Sequence, residues 1–241
     1  MFIVAGSCEQ ENNDLVLSFL SLRRAIGVLG LFLPFALALY GLATDAVLTS
    51  MSAYYYSPMR EVFVGTLCAL AVFFWSYEGY RNAGAEVISD KGTARVAAVS
   101  VALVALAPIG RGAKLPADAR PESGCTLIEC LLGAQATTVL HIGAAGTFFG
   151  ALAVYCLVLF VRGGDDSSEK RAAKVIYRVC GVLIILCIVP AGLLELTGLD
   201  QISPPATIFW LEAVATVAFA VSWLVKGRSA RRLVDGVASI C

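Results

Sequence analysis

The sequence predicts an all-α fold, a polytopic transmembrane bundle of six helices with both termini cytoplasmic. Three observations carry that prediction. Hydrophobic residues make up 59% of the 241-residue chain and charged residues only 15%, against about 45–50% and about 25% in ordinary soluble domains. Six apolar runs approach the roughly 20 residues that cross a bilayer as helix. Lysine and arginine, finally, are sorted onto alternate connections between those runs.

Residues 1–22 are expected to form a cytoplasmic tail. Val4-Ala5-Gly6-Ser7-Cys8 loosely resembles a lipoprotein cleavage site, but the apolar stretch before it is too short and no basic segment precedes it. A polar stretch, Glu9 to Asp14, and an interfacial helix over Leu15–Leu22 are expected instead. The membrane domain then covers 23–227, with spans at about 25–43, 61–77, 95–110, 137–161, 175–195 and 206–225. Gly27 and Gly30 in the first span allow close helix approach. Gly143, Gly146 and Gly150, with Ala144, Ala145 and Ala151, give the fourth a smooth face suited to packing within the chain or between copies. The third span is the shortest, bounded by Arg95 and by Pro108 and Arg111. Pro34, Pro108 and Pro190 lie inside or near the ends of spans and mark kinks, because neighbouring helices re-satisfy the freed carbonyls. Residues 228–241 form a basic cytoplasmic tail. Its Arg228, Arg231 and Arg232 set topology and also lie where they would attract anionic headgroups.

Charge sorting gives the orientation. With the amino terminus inside, Arg23, Arg24, Arg81, Lys91, Arg95, Arg162, Lys170, Arg171, Lys174, Arg178, Lys226, Arg228, Arg231 and Arg232 fall on the inner side. Only Arg60, Arg111, Lys114 and Arg120 fall outside, of 18 lysines and arginines in all. Basic residues are retained on the cytoplasmic side of membrane proteins, so both termini come out inside; the expected location is the inner (plasma) membrane. Formal charge is zero, which gives no reason to expect a nucleic-acid partner. Membrane lipids are the expected surroundings.

Polar and ionisable residues gather toward the outer leaflet. The first outer connection runs from Thr49 to Glu61 and holds Ser50, Ser52, Tyr54, Tyr55, Tyr56, Ser57 and Arg60. His141, the only histidine, stands near the outer start of the fourth span; Glu195 closes the fifth, and Glu212 sits about two turns into the sixth beside Trp210. An ionisable group inside a bilayer is costly, so it faces the bundle interior and has a partner. For Glu212 two roles stand open: a proton- or ligand-binding carboxylate with Arg60 or His141 as counter-group, or an interhelical hydrogen bond that fixes packing. The tyrosines likewise serve either as an interfacial belt or as the lining of a headgroup pocket, with the serines as hydroxyl donors and Arg60 as the anion partner.

Other chemistries lack their residues. One histidine with scattered carboxylates falls short of a zinc site, so neither a metal nor a cofactor is predicted. Gly-x-Ser-x-Gly, a Walker loop and a dinucleotide fingerprint are all missing. Cys68, Cys156, Cys180 and Cys187 fall inside apolar runs as small packing residues. Cys125 and Cys130, in the second outer connection at about 110–136, form a disulfide candidate on the oxidising side of the membrane.

The stretch Met51-Ser52-Ala53-Tyr54-Tyr55-Tyr56-Ser57-Pro58-Met59-Arg60-Glu61-Val62-Phe63-Val64-Gly65, followed by Ser76-Tyr77-Glu78-Gly79-Tyr80, resembles a set of uncharacterised bacterial six-span membrane proteins that look distantly like the Frag1/DRAM/Sfk1 family. Ala105-Leu106-Ala107-Pro108, His141, Phe209-Trp210-Leu211-Glu212 and Ser222-Trp223-Leu224-Val225-Lys226-Gly227 fit the same pattern, over most of 22–227. The resemblance implies a fold and a location and brings no activity with it.

The expected function is non-enzymatic: binding or sensing a lipid or small ligand through an outward-facing polar pocket. Ser52, Tyr54, Tyr55, Tyr56, Arg60, Glu61, His141, Glu195, Trp210 and Glu212 are its candidate residues. A proton-coupled transporter or channel using Glu212 and His141 is the alternative, for which the inner half offers only Ser76, Ser100 and Tyr155. A membrane-embedded lipid hydrolase comes third.

Overall fold

The computed structural model describes residues 3–79, 88–109, 125–163, 167–199 and 204–239, with side chains from residue 17 onward, and is helical throughout with no strand among them. Four helices are long and apolar enough to cross a membrane: Leu17–Ala43, Ala134–Leu159, Ser168–Thr197 and Thr207–Lys226. They belong to α1 (Ile3–Ala43), α5 (Ala134–Val154, extended by a π-helical turn over Tyr155–Leu159), α6 (Ser168–Thr197) and α7 (Thr207–Lys226). Between α1 and α5 lie α2 (Arg60–Trp75), α3 (Asp90–Leu106) and the short α4 (Leu127–Leu132); α8 (Arg231–Ala238) follows α7. At 16 and 17 residues, α2 and α3 reach about 24–26 Å, just under the roughly 30 Å of hydrocarbon.

Several boundaries differ from the sequence expectation, each for a local reason. No break separates an interfacial helix at 15–22 from the first span: α1 runs unbroken from Ile3. Phe19 and Leu22 pack against the core and Arg23 is buried, so this turn already belongs to the bundle. Helix α3 starts at Asp90, five residues before the predicted 95, because the Ser89 hydroxyl accepts from the Gly92 N–H as its cap. It ends at Leu106, and Pro108 lies just beyond it. Pro34 and Pro190 sit inside α1 and α6. Helix α4 opens on a Thr126–Glu129 capping box and is tied by a Cys125–Cys130 disulfide. Arg81, Arg111, Lys114, Arg120 and Tyr80 lie outside the described residues, as does the Cys8 side chain.

Helices α1 and α7 approach closely. A methyl on Gly27 would stand 2.7 Å from Leu224, and one on Gly30 2.7 Å from Phe219. The fourth-span glycines do not act this way within the chain: a methyl at Gly143, Gly146 or Gly150 meets nothing within 4 Å. The core is aromatic. Phe74 contacts Phe148, Phe219 and Trp223 at ring-centroid distances of 5.3–6.0 Å, mostly edge to face. Val179, Val182, Leu186, Val189 and Leu193 of α6 stay exposed, as a lipid-facing helix requires. The alternation of helices leaves two ends, a tyrosine end carrying Ser52–Tyr56 and a basic end where Arg24 donates to the Gly227 carbonyl and Arg162 to that of Ile88.

Candidate functional site at the tyrosine end

The connection from α1 to α2 folds into the mouth of the bundle. Seven consecutive residues, Ser50 to Tyr56, are buried, and Ser52–Tyr56 form a single 3-10 turn. Local hydroxyls shape it. Ser50 Oγ accepts from the Ala53 N–H, and Ser57 Oγ donates to the Tyr54 carbonyl and accepts from the Met59 N–H. A backbone segment at this depth has no water to satisfy it, so it persists only where protein groups replace water.

Those groups come from three helices. Glu212 of α7 accepts from the Met51 N–H at 2.7 Å, a charge-assisted contact when the carboxylate is ionised. One turn on, the Thr216 hydroxyl donates to the Glu212 carbonyl. The Phe209 N–H donates to Thr49 at 2.9 Å, fastening the start of α7 to the same segment. From α5, His141 Nδ1 lies 2.6 Å from the Ala107 carbonyl and Nε2 lies 2.9 Å from Ser52 Oγ. A carbonyl only accepts, so Nδ1 carries a proton; in the neutral ring Nε2 then accepts from the Ser52 hydroxyl. Tyr56 donates to the Ile109 carbonyl at 2.8 Å, just past α3.

The tyrosines thus point three ways. Tyr54 is enclosed by Tyr40 and Phe209, and its hydroxyl accepts from the Leu48 N–H. Burial pushes that phenol up from its ordinary value, against the Leu48 hydrogen bond. Tyr55 carries the exposed Arg60: a guanidinium N–H donates to the phenol oxygen at 2.9 Å, and the guanidinium lies 4.5 Å from the ring centroid. Arg60 therefore engages Tyr55 rather than Glu212. Glu195 lies in the last turn of α6. Glu61 is exposed at the start of α2, and Trp210 is exposed with its ring against Phe209. Ser52, the three tyrosines, His141 and Glu212 are brought together; Glu61 and Trp210 stay on the rim.

Among the described residues no three His, Cys, Asp or Glu side chains gather as a metal site would need. What the arrangement does is chemical fastening: one inserted segment ties α7, α5 and the end of α3 by polar contacts, with Arg60 exposed beside it.

Sequence reasoning passed over a second polar cluster. At the basic end Arg23 is buried, and its Nε and Nη2 donate to the Tyr77 phenol oxygen at 3.2 and 2.9 Å. The Tyr155 hydroxyl donates to the Asp90 carbonyl, and Lys226 stands over Phe160. In the sequence Arg23 and Lys226 read as topology signals, and a third span from about 95 leaves Asp90 outside it. Their placement at span ends, where one more turn of helix would bury them, was the available signal.

Searches of protein-family models, curated proteins and solved structures find nothing that matches the chain.

Proposed function

We propose that the chain is a six-span plasma-membrane protein with both termini cytoplasmic, binding or sensing a lipid or small anionic ligand at the tyrosine end. One observation carries this: a buried, hydroxyl-rich segment fastened to three helices, with the exposed Arg60 standing on its Tyr55. An anionic headgroup that pairs with Arg60 draws it from Tyr55, and Tyr55 belongs to the same turn that Glu212 and His141 hold. Helices α2 and α3 count as the remaining spans, because Val72, Trp75, Val96, Val99 and Leu106 give them exposed apolar faces while they pack in the same bundle.

Lipid mass spectrometry of the detergent-purified protein tests the reading. Co-purified anionic lipid is expected with the native chain, reduced about tenfold in Arg60→Ala, the effect of one charge-assisted contact. Equal recovery from both proteins overturns it. A proton-coupled transporter is the second reading, favoured by ionisable groups buried near both ends. The ring layer of Phe74, Phe148 and Phe219 stands between them. Proton flux into liposomes that is abolished by Glu212→Gln would promote it.

A further inference from the structure

The basic end is built more elaborately than a topology signal requires. Trp223 of α7 is fully buried, and its indole N–H has no hydrogen-bond partner. A buried tryptophan usually finds one, and an orphaned buried donor calls for an explanation such as a missing ligand. Around it stand Tyr77, Tyr155 and Phe160, with ring centroids at 5.1, 5.1 and 5.4 Å. Tyr155 opens the π-helical turn that ends α5, and such turns are rare and concentrate at functional sites. Lys226, one turn beyond Trp223 on α7, places its ammonium 5.0 Å from the centroid of Phe160. Ionisable groups buried at a membrane end mark functional sites more often than soluble surface charges do.

We propose that this cage is a second binding site, taking the phosphate oxygen of an anionic ligand onto the Trp223 N–H with Lys226 as its countercharge. Trp223 supplies a directional donor among rings at 5.1–5.4 Å, and Lys226 a compact cation on a four-carbon stem. Arg23, held by Tyr77, fixes the positive field. The phosphate comes either from a lipid of the leaflet at that end or from a free phosphate compound; the same chemistry serves both.

Delipidated protein titrated in native mass spectrometry with phosphatidylglycerol, with phosphatidylcholine of the same chains, and with inorganic phosphate tests this. Phosphatidylglycerol is expected to bind at least about tenfold more tightly than phosphatidylcholine, and Trp223→Phe and Lys226→Gln each to remove about tenfold, the worth of one hydrogen bond to a charged group. The comparison is made in an Arg60→Ala background, which takes the tyrosine-end ligand out of the titration. Competition by millimolar phosphate assigns the ligand to the soluble class, and its absence to the lipid class. In parallel, the Trp223 indole resonance, picked out among three tryptophans by its loss in Trp223→Phe, moves on ligand addition. An unmoved resonance, or variants that bind like the native chain, overturns the proposal and leaves the N–H satisfied by the ring faces alone.

Discussion

At the scale of single residues, Glu212 is decided by the atom it touches. Its carboxylate accepts from the Met51 N–H, so its first duty is to satisfy a backbone donor that water does not reach. Glu212→Gln keeps an acceptor oxygen of the same reach, whereas Glu212→Ala leaves the N–H bare. Thermal unfolding in detergent is expected to show Glu212→Ala destabilised by about 1–3 kcal/mol, with Glu212→Gln retaining most of the native stability. Equal loss in both would mean that the charge, not the acceptor, matters. Gly41 tests the same segment from α1. A methyl there would lie 2.5 Å from the Tyr54 hydroxyl and 3.0 Å from Val47 Cα. Gly41→Ala should cost about 1–3 kcal/mol by overpacking. Adding Tyr54→Phe removes the closer obstacle and recovers part of that cost; a double variant whose loss is the plain sum would show that the two residues do not meet.

At the scale of elements, glycine spacing alone could not say which faces meet. Gly27 and Gly30 are pressed against Leu224 and Phe219, whereas Gly143, Gly146 and Gly150 look onto open space. Gly30→Val should therefore lower the unfolding temperature clearly, while Gly146→Val stays within about 0.5 kcal/mol of the native chain. A large loss at Gly146 would reveal a partner surface on α5. The contrast shows what the sequence makes legible. Apolar runs locate the helices because hydropathy is a local property, and the long helices α1, α5, α6 and α7 fall where those runs lie. Helix ends are set by caps such as Ser89, which lie outside the apolar run, so Asp90 was missed. Sequence grouped Ser52, Tyr54, Tyr55, Tyr56, His141 and Glu212 near one another because topology carries alternate connections to one end. It offers Arg60 or His141 as counter-group of Glu212, but a backbone N–H takes Glu212, the Tyr55 phenol takes Arg60 and Ser52 takes His141, and no residue pattern announces a main-chain donor.

At the scale of the whole molecule, the two described ends differ in charge, and that difference is the ground for the orientation proposed above. Arg24, Arg162, Lys174 and Lys226 are held at one end by contacts with Gly227, Ile88, Gly163 and Phe160, and Arg60 is the basic residue described at the other. With cations retained on the cytoplasmic side, the proposed arrangement has the Arg228–Arg232 tail inside and the tyrosine segment outside. Pro58 and Ser229 are exposed at the two ends, so a single cysteine at each reports the arrangement without disturbing the core. An impermeant maleimide is expected to label Pro58→Cys in intact cells and Ser229→Cys only after permeabilisation. The reverse pattern would set thirteen described cations on the outer face and deprive Arg60 of any extracellular ligand. Labelling of both in intact cells would instead mean an even number of crossings between the two positions, which neither six spans nor the four long helices alone allows.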